Sequence, residues 1–125
     1  MGIDYGARRI GVARSVSDGA IAFPLRTIEC RVRKEAIAEI KKICDAEVAT
    51  LIIGLPIGLD GKETDETREV RGFAADLAQA LALPIYFENE MLTSRMARDA
   101  GMTGGHIDAA SAAIILQSYL DKKNR

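Results

Sequence analysis

Carboxylates stand at three well-separated places where they could do chemistry: Asp4 in GIDYGARRIGVARS, Glu88 and Glu90 in FENEMLTS, and Asp108 in GGHIDAASAA. Asp4 lies in a glycine-punctuated apolar run. It fits a turn former, a residue of a phosphate loop, or the first ligand of a catalytic metal. A carboxylate projecting from a central strand is costly to bury, so it calls for a cation or an arginine. Arg8 and Arg9 are close enough in sequence to pair with it. Glu88 and Glu90 share one face of an extended chain, and Glu88, near a strand's end, is expected to turn to solvent. Asp108 opens an apolar helix, where it would also serve as an ordinary cap. His106 reads as a loop residue rather than a ligand; the alternative is contact with a phosphate or water at the mouth of a site. Converging at one end of one sheet, Asp4, Glu90 and Asp108 would offer hard oxygen ligands suited to one or two Mg²⁺ or Mn²⁺ ions rather than zinc. Two such ions about 4 Å apart activate water and stabilise the leaving oxygen in phosphodiester cleavage.

Other chemistries fit less well. GLPIGLDGKETDETR is polar enough to contact substrate, and Lys62 and Arg68 could reach phosphates. It lacks the spacing of a Walker-type phosphate loop. One histidine in a glycine-rich loop gives no readable Ser/His/Asp triad. Cys30 and Cys44 show no CxxC spacing, which excludes a Cys/His zinc site and a disulfide framework, and both thiols are expected to be reduced. A formal net charge of −1 rules out a polycation, so any basic footprint must be local.

The elements that must position these residues follow from periodicity. Gly2–Tyr5, Arg9–Arg14 and Ala20–Ile28 read as a strand meander, with Asp18-Gly19 as one turn and Pro24 demanding an edge position or a bulge. Met1 stands directly before the first strand, which is therefore either unusually short or slightly truncated. Ala36, Ile37, Ile40, Ile43 and Cys44 recur at helical spacing. Thr50–Gly54 is a strand buried on both sides. Val70, Phe73, Ala74, Leu77, Ala78 and Leu81 trace one helical stripe, stopped by Pro84 before the strand Ile85–Asn89. A short helix over Thr93–Ala100, a loop over Gly101–Ile107 and a last helix starting at Asp108 complete a β-β-β-α-β-α-β-α-α order. That order predicts an α/β fold: a mixed five-stranded sheet with helices on both faces, in one domain over residues 1–125. No apolar run approaches a membrane span and no signal peptide opens the chain, so a cytoplasmic protein without membrane contact is expected.

Taken in order, GIDYGARRIGVA, IIGLPIGLDGKETDETR, ENEMLT and IDAASAAIILQSYL resemble the YqgF/RuvX family over essentially the whole chain. The resemblance implies a ribonuclease H-like fold and divalent-metal hydrolysis of phosphodiesters, associated with maturing the 5′ end of pre-16S rRNA. It carries the family's metal-binding acids onto Asp4, Glu90 and Asp108. Substrate contacts are expected at Arg9, Lys62 and Thr93. The chain departs from the family pattern at Asn89 and Met91, where an acid and an arginine are usual, and at Val16. Two alternatives to the rRNA nuclease follow: a resolvase acting on branched DNA with the same carboxylates, and a non-catalytic RNA- or ribosome-associated factor. A nucleic-acid partner, ribosomal precursor particles and a monomer or weak homodimer complete the expectations.

Overall fold

A computed structural model describes residues 1–16, 19–89 and 105–124. Its strands are β1 (Gly2–Tyr5), β2 (Arg9–Ser15), β3 (Ala22–Glu29), β4 (Leu51–Leu55) and β5 (Ile85–Asn89). Its helices are α1 (Arg33–Ile43), α2 (Asp65–Leu81) and α3 (Gly105–Lys123). The strands form one mixed sheet in the order β3-β2-β1-β4-β5. β1, β2 and β3 pair antiparallel, while β4 and β5 run parallel to β1. Pro24 meets both halves of its expectation. It lies on an edge strand, and the β2–β3 register shifts beside its partner Ala13.

Alternation divides the side chains of the sheet between two cores. Ile3, Tyr5, Ile10, Val12, Ile53 and Leu55 project towards α1 and α2, where they bury against Ile40, Val70, Phe73 and Leu77. The Tyr5 ring stacks on Phe73 at 4.4 Å between centroids. Ala13 and Ile52 project the other way, against Ala112, Ile115, Leu116 and Leu120 of α3. Helices therefore cover both faces, as the β-α-β order requires.

Local signals explain most boundaries. Thr64 caps α2, accepting a hydrogen bond from the Thr67 amide, while the Thr67 hydroxyl accepts one from the Thr64 amide. Thr67 also donates to the Pro56 carbonyl, tying the loop after β4 to the first turn of α2. Two expectations need correction. Ala78 is exposed and not part of the buried stripe, because the core-facing line of α2 runs from Leu77 to Leu81 and Ala78 is turned away from it. The last helix starts at Gly105, so residues 105–107 are helical and not loop. The helix expected over Thr93–Ala100 lies outside the described residues.

Candidate metal centre

Asp4 sits on β1 directly across from Gly11 of β2. By alternation with Gly2, which abuts α3, it faces α3 and not the larger core. The residue is buried, at 9% exposure. Gly11 is the surface on which α3 begins. A Cβ there would stand 1.8 Å from the Asp108 carbonyl oxygen and 2.8 Å from the Ala109 nitrogen. Gly2 makes a similar close approach further along α3, where a Cβ would meet the Ala112 carbonyl at 2.7 Å. Facing residues of an antiparallel pair have Cα atoms only about 4.5–5.5 Å apart. Asp4 and the backbone of Asp108 thus flank the same glycine, at the carboxyl end of β1. That is the end of an open α/β sheet where ligands bind.

Asp108 lies in the first turn of α3 and is not its cap. Its carboxylate stands 3.2 Å from Nε of Arg9. The sequence pairs Arg9 with Asp4 by proximity, but β2 delivers it to Asp108. The contact compensates charge without completing a hydrogen bond, since Oδ2 is buried and has no hydrogen-bond partner. Burial pushes the Asp108 carboxyl above its ordinary value, and the Arg9 guanidinium pulls it part of the way back. An orphaned carboxylate oxygen carries a desolvation cost that a bound cation would remove. Hard oxygen donors at this place fit Mg²⁺ or Mn²⁺. Among the described residues, no three His, Cys, Asp or Glu side chains group around one point. Glu90, the expected third acid, lies outside the described residues, as does Thr93.

Glu88 does not turn to solvent. It is 7% exposed and pairs with Lys122 of α3, with Ser118 Oγ 3.5 Å from the same oxygen. The reason is α3 itself, which crosses β5 with its second half and covers the end of that strand. No local pattern could have found this pair, because its members are 34 residues apart. Gly11 did carry a signal: glycine inside a strand marks a close approach of another backbone. Lys62 lies on the exposed loop after β4 and has no ion pair among the described residues; its amide donates to Asp60 at 3.0 Å. The opposite end of the sheet carries a cleft of about 460 Å³ lined by residues such as Ser15, Thr50, Tyr119 and Lys123. Asp4 and Asp108 are not among its walls.

Comparison with known proteins bears on the family and the fold. Residues 1–122 match the RuvX family, described as Holliday junction resolvase. The chain belongs to the RuvX family. It is 41% identical to the "Putative pre-16S rRNA nuclease" of Nitratidesulfovibrio vulgaris, covering 97% of this chain and 92% of that protein. A protein of the same name from Chloroflexus aurantiacus is 37% identical, with 98% and 86% covered. Among solved structures, Thermus thermophilus RuvC superposes with a TM-score of 0.57 at 16% identity, covering 98% of this chain and 95% of that one. That likeness confirms the ribonuclease H-like fold expected for this RuvX chain.

Proposed function

We propose that this chain is a metal-dependent nuclease that hydrolyses phosphodiester bonds in precursor 16S rRNA, near the 5′ end of the mature sequence, in the cytoplasm. The observation that carries the reading is the buried Asp108 Oδ2, which has the Arg9 cation beside it but no hydrogen bond, on a residue whose backbone lies over Gly11, across from Asp4. Family membership and the names of the relatives support the substrate class. Asp4 and Asp108 would hold Mg²⁺ or Mn²⁺, with Glu90 as a third ligand two positions beyond Glu88. A divalent cation there supplies Lewis acidity and an activated water. The chain's own groups do the rest. Arg9 balances the Asp108 charge and stands ready to turn towards a phosphate oxygen as its partner is taken up. The Gly11 contact fixes the start of α3 against β2 and so holds the two carboxylates in register.

The test is cleavage of a precursor-rRNA-like oligonucleotide with Mn²⁺ by the wild type, Asp4→Asn and Asp108→Asn. Both variants should lose more than about a hundredfold in rate, since even outer partners of metal ligands are worth 10–100-fold. Equal cleavage by all three would sink the assignment. The family description favours a second reading, a branched-DNA substrate, and a four-way junction in the same assay decides it. A third, a non-catalytic RNA-binding factor, draws on Asn89 and Met91. It predicts intact RNA affinity with no Mn²⁺ binding at millimolar concentration.

A further inference from the structure

The arginines of this chain divide into two groups. Arg9, Arg14, Arg26, Arg33, Arg68 and Arg71 each lie in an ion pair with a carboxylate. Among the described residues, Arg8 and Arg31 alone of the arginines are exposed and form no such pair. They are far apart in sequence but not in the fold. The Cys30 amide donates to the Arg8 carbonyl at 2.7 Å, which closes the end of the β2–β3 ladder and sets the two arginines on neighbouring chains. Arg8 directly precedes Arg9, the partner of Asp108, so the pair adjoins the end of the sheet that holds the carboxylates. Arg33, next along, is partly withdrawn from solvent by its place over the Tyr5 ring and its ion pair with Asp76. Glu29, the nearest acid in register, lies opposite Arg9 and not opposite either of these two.

In a protein of net charge −1, two adjacent arginines left without acidic partners form a local positive step. The planar guanidinium fork suits phosphate oxygens better than a solvated ammonium does. We propose that Arg8 and Arg31 bind the phosphate backbone of a single nucleic-acid strand where it runs past the carboxylate site towards the β3 edge. The inference rests on the nuclease reading for its partner class, but its test does not need cleavage.

Binding of a fluorescently labelled single-stranded RNA of 12 nucleotides is followed by anisotropy in EDTA, across a range of salt concentrations. Each phosphate contact on a single strand contributes about 0.7 to the slope of log affinity against log salt. Arg8→Gln with Arg31→Gln should therefore flatten the slope by about 1.4 and weaken binding at low salt. Arg8→Lys with Arg31→Lys should keep most of the slope. Lys41→Gln with Lys123→Gln removes the same charge from the far end of the sheet and should leave the slope unchanged. The same strand as DNA should lose equally, because phosphates are common to both. An unchanged slope in the first variant overturns the proposal, as does an equal fall in the control pair or a loss confined to RNA. Asp108→Asn separates the two readings: it should abolish cleavage while leaving the slope no smaller than the wild type's, since it removes a carboxylate and releases Arg9. A wild type that binds with the expected slope but never cleaves would overturn the nuclease reading alone.

Discussion

The two faces of the sheet are built from the same strands to opposite specifications. Towards α1 and α2, β1 and β2 present Ile3, Tyr5, Ile10 and Val12, which fill a deep apolar core together with Phe73, Leu77 and Ile40. Towards α3 they present Gly2, Asp4, Gly11 and Ala13, almost without bulk. The first face can gain stability from area alone, at about 25 cal/mol per Å² of apolar surface. The second gives up much of that area so that a helix backbone can lie directly on the strands. What it gains is placement, because the start of α3 is fixed where Asp4 emerges. Stability and site geometry are carried here by separate surfaces of one sheet, so mutation should uncouple them.

The largest expected effect is on the thick face. Phe73 is fully buried, and Phe73→Ala should cost about 3–5 kcal/mol in urea unfolding. Molecules that remain folded should still bind Mn²⁺ with nearly wild-type affinity. Gly11→Ala breaks the thin face: no rotamer relieves a Cβ placed against backbone, so α3 must shift, at about 1–3 kcal/mol. It should lose Mn²⁺ affinity far out of proportion to stability, which calorimetric titration alongside urea unfolding would show. If Phe73→Ala weakened the metal site as much as Gly11→Ala, the division between faces would fail.

A third effect is expected near the other end of α3. Lys122→Met leaves the buried Glu88 carboxylate without its cation, an unsatisfied charged group worth about 1–3 kcal/mol. Adding Glu88→Leu should recover most of that loss, as replacement of a buried pair by apolar groups often does. Unfolding of the two single variants and the double variant checks this. The smallest effect concerns Asp108. Its carboxyl is raised by burial, so the proton is held more tightly in the folded chain than in the unfolded one. The stability this gives is full below the ordinary value of 3.8 and is lost as pH rises through the raised folded value. Above that window the ionised side chain costs the fold, so Asp108→Asn should be slightly the more stable protein at pH 7. Its advantage should shrink as the pH falls towards 4, in melting temperatures recorded without metal.

Much of the fold was legible because its signals are local. Alternation, the Pro24 break and the Pro84 stop suffice for the strand order of the meander and for the crossover elements. Of the site, the acid types were legible, and the family resemblance added a reason to group them. The partnerships were not. Arg9 is two residues from Gly11 in sequence, yet its partner is brought from α3, 99 positions away. Glu88 looked like a strand end facing water until a helix that starts after it covered it. Gly11, a glycine inside a strand, signals that some backbone approaches closely, but only the packed structure reveals that it is the start of α3.

Under the proposed function, the thin face of the sheet would hold a cation between Asp4 and Asp108. A crystal structure grown with Mn²⁺, with anomalous scattering recorded at the manganese edge, tests it most directly. A peak bounded by carboxylate oxygens of both residues at about 2.0–2.2 Å is expected, with the Arg9 side chain moved off Asp108. A peak elsewhere, or none at millimolar Mn²⁺ with the Arg9–Asp108 contact intact, would contradict it.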